Sequence, residues 1–112
     1  MYNQGEILLI PIPFSDLTSN KKRPVLVVSN SDYNCKTEDI VVVAITSNLE
    51  YKEYSIQFTS NDLVEGTLKV ASCIRVDKIY TLSKYIVIKK FGTVNADILD
   101  RAKVEINKLI DK

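Results

Sequence analysis

The stretch DIVVVAI, residues 39–45, sets β-branched side chains one after another with neither a helical period nor a strict alternation. That is the pattern of a short strand buried on both faces. PVLVVS, residues 24–29, has the same character, and residues 30–38 between them read as a loop by composition. Further along, Tyr54, Ile56 and Phe58 alternate with Ser55 and Gln57, the period of a half-buried strand. Residues 61–66 (NDLVEG) read as a turn or a single helical turn. Residues 67–82 alternate over a length that invites a bend, and YIVIKKF (85–91) reads as one more strand. At the other end, EILLIPIPF (6–14) is broken by Pro11 and Pro13. Two prolines two apart remove N–H donors from one edge only, which suits an edge strand or a barrel seam and argues against a central strand.

After Gly92 the period changes. Ile98, Ala102, Ile106 and Leu109 recur at helical spacing, with Leu99 and Ile110 widening the stripe. Asn95 is placed to cap that helix, Asp97 sits in its first turn, and Lys108 and Lys112 lie near its end, as the helix dipole favours. The expected architecture is mainly β: five or six short antiparallel strands in a small, strongly bent barrel, closed by a C-terminal α-helix. A chain of 112 residues is expected to be one domain spanning 1–112.

Composition narrows the chemistry. At 46% apolar and 26% charged residues the chain is globular, and its two cysteines are too few for a disulfide framework, so a reduced, cytoplasmic protein is expected. Both cysteines, Cys35 and Cys73, read as unreactive packing residues. The N-terminus lacks a basic-then-apolar leader, and no run of about 18 apolar residues is present to span a membrane. There is no histidine, so the commonest acid/base and metal ligand is missing. Catalysis would have to run on carboxylate, guanidinium, amine, phenol or hydroxyl groups, and no metal or other cofactor is implied.

Three clusters could carry it. Lys21-Lys22-Arg23-Pro24 holds Arg23 extended, because proline excludes the α region for the residue before it. A guanidinium fixed beside two lysines can clamp phosphate oxygens; the same run could be a solvated basic loop. Thr46, Ser47 and Asn48 end a strand with three hydrogen-bonding side chains, fit either for phosphate and base contacts or for an ordinary turn. Arg75 and Asp77, two apart in a strand, share a face on which Cys73 and Ile79 flank them, while Ile74 and Val76 take the other side, and make either an acid/base pair or a plain surface ion pair.

In this order the motifs resemble the MazF/PemK/Kid family of toxin endoribonucleases. The resemblance runs through Gly5-Glu6-Ile7, Lys22-Arg23-Pro24-Val25-Leu26-Val27-Val28, Ile45-Thr46-Ser47, Ser72-Cys73-Ile74-Arg75-Val76-Asp77-Lys78-Ile79, and Gly92 before the last helix. It implies a bent SH3-like, CcdB/PemK-like barrel with a C-terminal helix, usually a homodimer with RNA in a groove at the subunit boundary, that cuts single-stranded RNA at short sequences without a metal, leaving a 2′,3′-cyclic phosphate and a 5′-hydroxyl. It also implies a cognate antitoxin lying in the RNA groove. Carried over, Arg23, Thr46, Arg75 and Asp77 are the expected catalytic residues, and Lys21, Lys22, Ser47 and Asn48 the expected RNA contacts. The chain departs from the family where some members carry a first-loop histidine: here the loop reads SDLTSN (15–20), and what the histidine contributes must come from Asp16, from a lysine, or from nothing. That departure leaves open a binding module of the same fold that does not cleave. A gyrase inhibitor like CcdB is disfavoured, since its tryptophan-bearing tail has no counterpart in a chain without tryptophan.

Overall fold

The computed structural model describes residues 2–11, 21–50 and 52–111. Seven strands form a single antiparallel sheet: β1 (Glu6–Pro11), β2 (Lys22–Val27), β3 (Asp39–Thr46), β4 (Ser55–Phe58), β5 (Leu63–Gly66), β6 (Ser72–Ser83) and β7 (Lys89–Val94), in the spatial order β4-β6-β3-β2-β1-β7-β5. Two helices complete it, α1 (Ser31–Lys36) and α2 (Ala96–Ile110). The expected mainly β fold with a C-terminal helix is therefore present as a curled seven-stranded half-barrel, with more strands than the five or six anticipated.

The curl follows from one core. Ile7 of β1, Leu26 of β2, Val43 and Ile45 of β3, Ile56 and Phe58 of β4, Ile74 and Val76 of β6 and Val94 of β7 all bury against the same cluster. Strands from both ends of the sheet thus bend toward a shared interior. Ile98 and Ala102 of α2 close that interior, with Leu99 and Ile106 packed at its margin. Asn95 caps the helix by accepting the Ile98 N–H at 2.9 Å. Ile110, expected in the apolar stripe, is instead exposed.

Several boundaries differ from the sequence reading for local reasons. Residues 31–36, read as loop, form a helix because Asn30 accepts the Tyr33 N–H at 2.8 Å and Asn34 is buried, donating to the Tyr2 and Ser29 carbonyls. Cys35, on that helix, is exposed rather than packed, whereas Cys73 is buried as expected. Residues 60–62 make a 3-10 turn, but 63–66 extend as β5, and the strand expected at 85–91 is divided into a 3-10 turn at 84–86 and β7. β1 is not an edge: it pairs β2 on one side and β7 on the other. Pro11 is tolerated because the pairing to β7 ends at Leu9 opposite Lys89, so the proline follows the last position that needs a donor there. Pro13, the 15–20 loop with Asp16, and Lys112 lie outside the described residues. Where β5 crosses β7 the backbones touch: a Cβ on Gly66 would stand 2.5 Å from the Phe91 carbonyl oxygen, and Gly66 has φ +87°.

Candidate active site

β6 carries a three-residue irregularity that organises everything around it. Ala44 of β3 faces Arg75, but the next residue, Val43, faces Ile79, so Val76, Asp77 and Lys78 are extra on the β6 side. The Val76 N–H is satisfied instead by the Tyr54 carbonyl at 3.0 Å. An odd number of inserted residues inverts the alternation. Beyond the bulge Tyr80, not Ile79, shares a face with Arg75, which corrects the expectation that Ile79 flanks the pair; Ile79 faces Val43 on the opposite side.

With that inversion the sheet face away from α2 reads as rows. Val27, Val42 and Tyr80 lie level, then Val25, Ala44 and Arg75. Continuing the β2–β3 register by two residues brings Arg23 level with Thr46. Along the strands the face therefore grades from wholly apolar to cationic and hydroxylic. At the graded end is a cavity of about 280 Å³ whose wall includes Arg23, Thr46, Asn48 and Arg75, together with Val25, Ala44 and Tyr80. A second cavity of about 230 Å³ shares the Arg23–Thr46 ridge and adds Lys22 and Ser47. Four expected residues thus meet in the first cavity and two more in the second. Lys21 is exposed at the start of β2 and is on neither wall.

Asp77 reaches the site through Arg75. The guanidinium donates from Nε to Oδ1 at 3.1 Å and from Nη2 to Oδ2 at 2.9 Å, a two-pronged pair that engages both carboxylate oxygens. Partial burial pulls the Asp77 carboxyl upward, but the hydrogen bonds and positive charge of Arg75 outweigh it and hold the group below its ordinary value. The same hydrogen bonds raise Arg75 further, so it stays a cation at any working pH. Thr46 serves its turn and still offers a donor: its Oγ1 accepts the Asn48 N–H at 3.1 Å, which leaves its own proton outside that bond. Asn48 in turn accepts the Glu50 N–H at 3.0 Å, and Gln57 donates to the Leu49 carbonyl at 2.9 Å, tying this loop to β4. The turn reading of 46–48 is realised, and Thr46 and Asn48 of the same turn also line the first cavity.

The sequence reading missed Tyr80, Lys78, Lys52 and Glu50, all on the wall of the first cavity. Among the described residues the two lysines and the two arginines set four cationic side chains there against the one carboxylate of Glu50. An anionic ligand fits such a lining, and the flat apolar floor beside it fits a ligand that is not anionic throughout. Among the described residues no group of three or more His, Cys, Asp or Glu side chains is placed to hold a metal ion. No helix among them is long and apolar enough to cross a membrane.

Comparison with solved structures finds the same fold. The chain superposes on MazF from Deinococcus radiodurans with a TM-score of 0.80 at 18% identity, covering 99% of this chain and 97% of that one. It superposes equally on an endoribonuclease in complex with its cognate antitoxin from a mycobacterial species, TM-score 0.80 at 18% identity, over 96% of this chain and 93% of that one. A further mycobacterial endoribonuclease gives 0.75 at 21% identity, over 96% and 88%. No curated protein sequence matches the chain. The sequence model of the PemK-like, MazF-like toxins of type II toxin–antitoxin systems matches residues 3–110, so nearly its whole length carries the family's pattern, and the chain belongs to that family.

Proposed function

We propose that this chain is an endoribonuclease toxin that cuts single-stranded RNA, chiefly messenger RNA, without a metal. The RNA's own 2′-hydroxyl loses its proton and attacks the adjacent phosphorus, the bond to the 5′-oxygen of the next nucleotide breaks as that oxygen takes a proton from solvent water, and the ends are a 2′,3′-cyclic phosphate and a 5′-hydroxyl. The observation that carries this reading is the convergence of Arg23, Thr46 and Arg75, from three separate strands, on one cavity. Arg23 and Arg75 neutralise charge building on the phosphorane and Thr46 donates a hydrogen bond to it, where such preorganised donors act most strongly. Asp77 is assigned the 2′-hydroxyl proton. With both its oxygens engaged by Arg75, its larger contribution is to fix that guanidinium. Lys21, Lys22, Ser47 and Asn48 contact the flanking backbone and bases. A homodimer in the cytoplasm, silenced by a cognate antitoxin, completes the assignment, in line with the neighbour that is itself bound to its antitoxin.

A second reading, an RNA- or antitoxin-binding module without cleavage, draws on the same engaged carboxylate and the lack of histidine. One experiment separates them. A long unstructured RNA is incubated with the protein in excess EDTA and its ends are mapped. New 2′,3′-cyclic ends, with an all-DNA strand left intact, support the nuclease. Retention of RNA with no new ends supports the module.

A further inference from the structure

Among the described residues Tyr80 is the one aromatic on the wall of the first cavity, and nothing in the family motifs points to it. It is half-buried, packs against the apolar cluster that includes Leu8, Val25, Val27 and Val42, which anchors it, and lines the cavity. Its cross-strand partner is Val42, two residues along β3 from Ala44, the partner of Arg75. The rise of a strand puts the tyrosine about 7 Å from the guanidinium's level. That is the span from a phosphate across its sugar to the base. The floor is Val25 and Ala44 at the arginine's level and Val27 and Val42 at the tyrosine's.

From this placement we infer that Tyr80 is the stacking platform for the base of a nucleotide next to the scissile phosphate, an inference that rests on the ribonuclease reading above. A base laid on Tyr80 extends over apolar floor while its phosphate meets Arg23 and Arg75, so the graded face matches one nucleotide end to end. Aromatic stacking accepts every base because each has a π-face. The position held by Tyr80 is therefore degenerate in the cut sequence, and sequence reading falls to the neighbouring positions. Tyr80 acts by positioning and leaves the bond-breaking steps to the cationic end.

The test uses the full chain and single-stranded oligoribonucleotides with a 2′-deoxy residue at the mapped cut, so that they bind without being cleaved. 2-Aminopurine is placed in turn on each side of that position. Wild-type protein and Tyr80→Phe quench its fluorescence at one of the two positions, and Tyr80→Leu, checked for an unchanged melting temperature, does not. On cleavable RNA Tyr80→Leu raises KM about 10- to 100-fold, the range of one lost stacked base, and Tyr80→Phe leaves it within about twofold. Cleavage by wild type with no quenching at either position overturns the platform and leaves the nuclease standing, and this outcome does not depend on whether any variant folds. Equal KM and equal quenching for Tyr80→Leu and wild type overturn it as well. Absence of any cut by wild type overturns the nuclease reading, and the inference with it.

Discussion

The two faces of the sheet are built from the same strands by the same alternation, yet they do different work. The face under α2 is apolar where the helix covers it: Leu26, Val43, Ile45, Ile74 and Val76 are all buried there in one cluster with Ile98 and Ala102 of the helix. The opposite face begins with Val27 and Val42 and ends with Arg23, Thr46 and Arg75 around an open cavity. Each strand thus stabilises through one set of side chains and presents chemistry through the other. Changes on one face should be silent on the other, and the following substitutions test how complete that separation is.

The largest effects come from the extremes. Phe58, 1% exposed in the sealed core, should cost about 3–5 kcal/mol of unfolding free energy when truncated to alanine, with cleavage per folded molecule unchanged. Arg23→Ala should do the reverse, lowering kcat about 100- to 1,000-fold while the denaturation midpoint stays put. Urea titration paired with single-turnover cleavage reads both. A joint loss in either variant would break the separation of faces. Within the site, the ordering of roles requires Arg23→Ala to be worse than Asp77→Asn on a minimal RNA; if only the aspartate variant loses activity, proton removal outranks the charge clamp.

Intermediate effects fall where backbones meet. Gly66→Ala combines a left-handed φ with a Cβ 2.5 Å from a main-chain oxygen that cannot swing away. It should destabilise the β5–β7 edge by about 1–3 kcal/mol, visible as a lower melting temperature. Asn95→Ala removes the cap of α2 and should cost about 1 kcal/mol. Neither residue touches the cavity, so kcat should hold in both.

How much of this was legible in the amino acids depends on distance along the chain. The buried runs at 24–29 and 39–45 read correctly as strands because β-branched density is local, and α2 was visible through its period and its Asn95 cap. Arg23 and Thr46 were legible as candidates because a proline and a strand end mark them. Their shared cavity was not, since it depends on the β2–β3 register. α1 was missed although Asn30 and the Asp32–Lys36 pair are start and stop signals, because so short a helix gives no hydrophobic period. Tyr80 was out of reach for a sharper reason. Strict alternation from Arg75 assigns it to the wrong face, and only the pairing with β3 reveals the three inserted residues that turn it back. β1 failed likewise: Pro11 signals a missing donor, but whether a neighbour needs that donor is settled by where β7 stops.

The smallest expected effect concerns the Arg75–Asp77 pair, whose side chains are 20% and 29% exposed. Pairs this accessible contribute little to stability, at most about 1 kcal/mol, so Asp77→Asn should scarcely move the melting temperature at neutral pH. Its signature is in the pH dependence. The folded carboxyl titrates below its ordinary value, so its stabilising contribution is complete above about pH 4 and is lost only as the pH falls through the lower, folded value. The orientation of Arg75 should accordingly survive throughout the range in which the enzyme works. Cleavage should then be insensitive to this group from about pH 5 to 8, and the acid-side loss of stability should be shallower in Asp77→Asn than in wild type. A wild-type rate that rises with an apparent pKa near 6 or 7 would mean that some group other than this paired carboxylate takes the proton, because an aspartate held ionised by a guanidinium has already completed its titration there.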